Sequence, residues 1–214
     1  MKELLIFDLD GTLLDTVGDL ADACNHILSE AGYPQHPEDA YRRFVGNGIS
    51  KLIERAVPED ARTQQHLDEL RGRFVDYYTA NIDRRTRPYE GIPELLAGLH
   101  RKGIKLAVAS NKFQDGTAAL VERFFPEIPF VAVLGQRKGV PVKPDPAVVE
   151  EIVETAGVPH ARTLYIGDSD VDMITARNAG VESVGVVWGF RGEKELEASG
   201  ADHIAFKPAE ILGI

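Results

Sequence analysis

Five short apolar runs frame this 214-residue chain: Glu3–Phe7, Ile104–Ala109, Phe130–Leu134, Thr163–Ile166 and Ser183–Val187. Each is too short for a helix, so each reads as a buried strand. Between the later runs lie helical patterns that close on glycine. Pro93–Lys102 puts Leu95, Leu96 and Leu99 on one face and stops at Gly103. Ala147–Ala156 buries Val148, Val149, Ile152 and Val153 before Gly157, and Asp172–Ala179 stops at Gly180. A glycine just past the last turn is the residue that best ends a helix. Strands alternating with helices of about ten residues predict an α/β core, a mostly parallel sheet covered on both faces.

One interval breaks the rhythm. No convincing strand lies between Thr16 and Ile82; the pattern gives helices near Val17–Ala31, Glu38–Val45, Ile49–Ala56 and Ala61–Asn81. Leu67, Leu70, Phe74 and Tyr78 form one apolar stripe, and Gly32–Pro34, Gly46–Gly48 and Pro58 punctuate the segment. The expected organisation is a core of residues 1–15 and 83–214 with an all-helical domain, residues 16–82, inserted after the first strand. The polar stretch Asp83–Glu90 is the expected return linker.

Composition narrows the partners. With 24 Lys+Arg against 34 Asp+Glu the formal net charge is −10, which disfavours nucleic acid and anionic membrane. The 43% hydrophobic and 27% charged content is that of a globular chain. Cys24 is the single cysteine, so no intrachain disulfide forms. No run approaches the ~18 apolar residues of a membrane span, and no leader pattern opens the sequence. A cytoplasmic setting is the expectation.

Chemistry concentrates at four places. In Phe7-Asp8-Leu9-Asp10-Gly11-Thr12, an extended backbone points Asp8 and Asp10 to the same side, at the carboxyl end of the first strand. Val108-Ala109-Ser110-Asn111-Lys112 ends the second core strand, where a hydroxyl and the amides after it can cradle an oxyanion. Lys143-Pro144-Asp145-Pro146 follows the third, its prolines restricting the backbone that carries the lysine. Tyr165-Ile166-Gly167-Asp168 ends the fourth, and Asp172 lies one helical turn further on.

Taken singly, each motif is also ordinary turn or helix-start chemistry. Together they fall at the same edge of one predicted sheet. There Asp8, Asp10, Asp168 and Asp172 face Lys143 as the one expected positive charge. A phosphate dianion enters such a site only with a cation. Oxygen-only ligands select a hard one, Mg²⁺, over zinc. In the helical insert, Gly46-Asn47-Gly48 joins two helices, and its amides, with the Ile49 helix behind them, offer a seat for a small carboxylate. Arg42 and Arg43 precede that turn as candidate cations.

The strings DLDGTLLDT, VASNK, KPDP and GDSDVDM resemble the four motifs of the haloacid dehalogenase superfamily, in its order and spacing. The helical insert resembles that family's cap domain, on a Rossmann-like core. The resemblance implies a Mg²⁺-dependent phosphomonoester hydrolase acting on a small phosphorylated metabolite, with 2-phosphoglycolate the substrate it points to. It implies that Asp8 is the nucleophile and Asp10 the general acid and base. Ser110, Asn111 and the amides of the Gly11 turn would hold phosphate oxygens, and Lys143 would balance charge. Asp168, Asp8 and the Asp10 carbonyl would ligate the metal, with Asp172 as ligand or support. Two rivals use similar residues. A phosphosugar mutase of the same superfamily typically carries a histidine early in the cap, where this chain has DTVGDLADAC. A phosphoacceptor signalling domain carries its aspartate on a later strand and has no helical insert.

Overall fold

The computed structural model describes Lys2–Ile214 and divides into two compact units, Met1–Asp15 with Pro88–Ile214, and Thr16–Arg87. In the first unit six strands form one sheet: β1 (Leu4–Phe7), β2 (Lys105–Phe113), β3 (Ala132–Gln136), β4 (Thr163–Gly167), β5 (Glu182–Val186) and β6 (His203–Ala205). Their spatial order is β3-β2-β1-β4-β5-β6, and every neighbouring pair is parallel. The chain moves outward from β1 through β2 to β3, then returns to place β4 on the other side of β1. That reversal opens a crevice at the carboxyl ends of β1, β2 and β4, where such sheets bind ligands.

All four residues of β1 are buried, as a strand covered on both faces requires. Leu4 and Ile6 join a cluster with Ala107, Ala109 and Tyr165 from the flanking strands. Val149 and Ile152 of one helix, Ala147–Ala156, and Ala176 of another, Asp170–Asn178, cover it. The sheet thus carries an apolar centre while its carboxyl edge carries the charges.

The second unit holds four helices: α1 (Val17–Glu30), α2 (Glu38–Phe44), α3 (Ile49–Ala56) and α4 (Gln64–Ala80). Leu70, Phe74 and Tyr78 of α4 are fully buried, along the stripe the spacing predicts. Thr63 starts that helix, its hydroxyl accepting from the His66 amide, so α4 begins three residues later than its apolar pattern suggests.

The boundary between the units also lies later than the 82/83 joint expected from composition. Asp19 of α1, almost fully buried, accepts from the backbone amides of Arg85 and Thr86 and from the Thr86 hydroxyl, at 2.8–3.0 Å. Those bonds hold residues 83–87 to the helical unit, and the chain leaves it between Arg87 and Pro88.

Candidate active site

Asp8 sits one residue beyond β1, its amide still bonded to the Ile166 carbonyl of β4 at 2.8 Å. The turn that follows needs Gly11: its φ is +88°, and a Cβ there would overlap the Asp168 carboxylate. The first motif therefore wraps against the fourth. Asp168 follows the last residue of β4, is 1% exposed, and accepts from the Phe190 amide at 2.7 Å. Asp172 lies in the first turn of the helix Asp170–Asn178, fully buried, and takes the amide (3.1 Å) and hydroxyl (2.6 Å) of Ser169.

Lys143 stands at the centre. Its ammonium lies 3.0 Å from Asp8 Oδ1 and 2.8 Å from Asp172 Oδ1, and donates to the Ala109 carbonyl and the Tyr165 hydroxyl, both at 3.0 Å. The Tyr165 hydroxyl in turn lies 3.3 Å from the Ala109 carbonyl and from Asp172 Oδ1, either of which it can donate to. Burial works against the lysine's charge, but Asp172 and Asp8 outweigh it and hold the group firmly protonated.

Burial dominates at the carboxylates. It pushes Asp8 up from 3.8 to about 7, with Lys143 opposing and Asp172 and Asp10 adding. Burial, then Asp172 and Asp8, also raise Asp168 well above the usual range. Without a further cation, burial thus favours the protonated form of Asp8 up to near neutrality.

Two features add to the sequence reading. Lys143 is not the only cation: Lys112, its side chain 2% exposed, contacts both oxygens of Asp10 at 3.0 and 3.3 Å. And the Asn111 amide group is committed to the third motif. Its oxygen accepts from the Lys143 amide at 2.8 Å and its nitrogen donates to the Lys143 carbonyl at 3.0 Å, tying that loop in place. Ser110, also buried, accepts from the Lys112 amide at 3.2 Å.

The sequence matches the haloacid dehalogenase-like hydrolases over residues 5–186, a span that runs from β1 to the end of β5 and contains all four motifs. The chain belongs to that family. This hydrolase is 38% identical to a phosphoglycolate phosphatase of Mesorhizobium japonicum, over 92% of this chain and 89% of that one. It is 34% identical to a phosphoglycolate phosphatase of Vibrio parahaemolyticus, over 99% and 95%. A crystal structure described as a predicted phosphoglycolate phosphatase from Haemophilus somnus superposes with a TM-score of 0.92, at 30% identity, covering 99% of this chain and 97% of that one.

One carboxylate oxygen from each of Asp8, Asp168 and Asp172 lies within 4.8 Å of the other two. Three buried carboxylates, two of them on the Lys143 ammonium, leave an excess of negative charge, and their donors are all hard oxygens. The residues therefore fit a divalent cation of the Mg²⁺ class. The Asp10 carboxylate stands apart from that trio, engaged by Lys112.

In the helical unit, Gly48 (φ +82°) precedes α3, and Asn47 Oδ1 accepts from Arg55 at 2.7 Å. Arg55 also donates to the Phe44 carbonyl at 2.8 Å. Arg55, from one helix later, is thus a cation bonded to this turn; Arg42 faces Asp39 at 3.9 Å and Arg43 is exposed. The sequence reading also missed the hydrolase's segment Trp188–Phe190. The indole of Trp188 donates to the Thr12 carbonyl at 3.0 Å, and the Phe190 amide holds Asp168. Nothing but a tryptophan shortly after a strand marked that segment.

Proposed function

We propose that this phosphatase hydrolyses a small phosphomonoester by way of a phosphoryl group carried on Asp8, and that the substrate is 2-phosphoglycolate. The mechanism is supported above all by one observation: Asp8 lies 3.0 Å from a buried lysine that Asp172 also holds, at a family-specific motif. The substrate is supported by the names of relatives that match nearly the whole chain.

Asp8 attacks phosphorus in line; its oxygen bonds to phosphorus as the bond to the leaving oxygen breaks. Asp10 passes a proton to that oxygen, then takes one from the water that attacks the acyl phosphate, which frees inorganic phosphate and restores Asp8. Lys143 offsets charge on Asp8 and on the transferring group. The Ser110 hydroxyl, Asn111 and the amides of the Gly11 turn hold phosphate oxygens, and the Asn111 side chain also fixes the Lys143 backbone. Asp8, Asp168 and the Asp10 carbonyl would hold Mg²⁺, with Asp172 completing or supporting that set. When bound, the cation neutralises the repulsion between the phosphate and the nucleophile. In the helical unit, the amides of Asn47 and Gly48, with the N-terminus of α3 behind them, are the proposed readers of the substrate carboxylate.

A phosphate-release screen over small phosphomonoesters with Mg²⁺, ranked by kcat/KM, tests both levels. Preference for 2-phosphoglycolate is the expected result. A different favoured substrate rejects the substrate assignment alone, and no release from any rejects the mechanism.

A further inference from the structure

Outside the Lys143 network the core unit buries a second ammonium, and its partner is the carboxylate that moves the protons. We propose that Lys112 is a positioning residue for this reaction, holding the Asp10 carboxylate in the orientation from which it gives and takes a proton. The proposal rests on the phosphatase reading above.

Contact with both oxygens, at 3.0 and 3.3 Å, restricts rotation of the carboxylate about its terminal bond in a way a single hydrogen bond does not. The lysine itself is built in. Along β2 the register with β3 jumps, from Ala109 opposite Leu134 to Phe113 opposite Gln136. Residues 110–112 therefore bulge where the partner strand has only Gly135. A bulge re-aims side chains, and Ser110, Asn111 and Lys112 all stay buried through it.

Three contacts fix the bulge at Lys112. Its amide donates to the Ser110 hydroxyl at 3.2 Å, and its carbonyl accepts from the Thr117 hydroxyl at 3.2 Å. Across the ladder, a Cβ on Gly135 would stand 2.6 Å from that same carbonyl, so only glycine allows the approach. The result is a division of labour between two lysines. Lys143 serves Asp8 and Asp172; Lys112 serves Asp10.

Lys112 takes no part in the proton transfers themselves. In the first half-reaction the Asp8–phosphorus bond forms, the bond to the leaving oxygen breaks, and the proton on Asp10 passes to that oxygen. In the second, water bonds to phosphorus, the Asp8–phosphorus bond breaks, and Asp10 takes the water's proton. Both transfers need the carboxylate within hydrogen-bond reach of the reacting oxygen.

The test is a comparison of leaving groups in Lys112→Met. First-turnover product release is measured by quenched flow with Mg²⁺, on the alkyl phosphate that the wild type hydrolyses best and on p-nitrophenyl phosphate. The alkoxide must be protonated to leave; p-nitrophenolate need not be. Expected is a loss of about tenfold or more on the alkyl substrate, part of the ~10²–10⁴-fold that a placed acid–base group supplies. On the aryl substrate the loss stays below about threefold, KM barely moves, and Lys112→Arg recovers part of the alkyl rate. Should Lys112→Met fail to fold, judged by circular dichroism, Lys112→Gln gives the same comparison. Equal losses on both substrates, a change confined to KM, or no loss at all overturns the proposal. A wild type inactive on both substrates instead overturns the phosphatase reading.

Discussion

Lys143 carries more of this site than any other side chain, because two carboxylates, a carbonyl and a phenol converge on its ammonium. Replacing it with methionine leaves buried carboxylates without their counter-ion. Lys143→Met is expected to lose nearly all turnover and about 3–5 kcal/mol of stability, measured by urea unfolding. Cys24 is the opposite case. It is fully buried, and burial pushes its thiol up to about 12. Native protein should therefore leave a disulfide reagent unreacted at about pH 8, and one thiol should titrate after unfolding. The meeting of Asp8, Asp168 and Asp172 was legible in the sequence because adjacent strand ends and one turn of helix place them, whereas Asp10, read as pointing with Asp8, lies past the end of β1 and turns to Lys112. Lys112 was not legible, since its partner Asp10 is 102 residues away and only the bulge brings them together. Nor was the proton that Asp8 retains, which follows from burial by β1 and its neighbours and not from local sequence.

Among the elements, the strands and helices that bury a clear stripe were legible, and the helix Ala147–Ala156 begins and ends where its apolar pattern does. Strand β6 was not: at three residues, two of them only partly buried, it has no periodicity to read. The helix Glu193–Ala198 buries only Leu196 and was missed for the same reason. The second motif was expected to end its strand, and it does so within one residue: β2 runs to Phe113, where the bulge lets pairing resume. In the helical unit, Asp19 satisfies two backbone amides and a hydroxyl of the return segment. Asp19→Ala strands those donors and should cost about 1–3 kcal/mol, read as a lower thermal midpoint. Asn47→Ala or Gly48→Val is expected to lower kcat/KM for 2-phosphoglycolate well beyond the loss on p-nitrophenyl phosphate, which has no carboxylate. Equal losses would assign the turn to the fold of the helical unit.

At the scale of the whole molecule, metal, protons and stability are linked. Between about pH 4 and 7 the folded metal-free protein keeps a proton on Asp8 that the unfolded chain has released. The folded state thus binds more protons there, and stability falls as pH rises through that window. Glu151 and Glu182, held low by Arg137 and by Lys2 with His203, are ionised in both states across most of that range and add little slope. The thermal midpoint gained on adding Mg²⁺ should therefore be larger at about pH 8 than at about pH 5, and EDTA should abolish both the gain and the activity. The central claim is that Asp8 carries the phosphoryl group. Wild-type protein quenched in acid during steady turnover, reduced with borohydride and mapped by mass spectrometry decides it. The account predicts reduction of the acyl phosphate at residue 8 alone, absent from Asp8→Asn, which is also inactive. An enzyme that turns over while residue 8 stays unmodified, or an Asp8→Asn variant that keeps its activity, would contradict it.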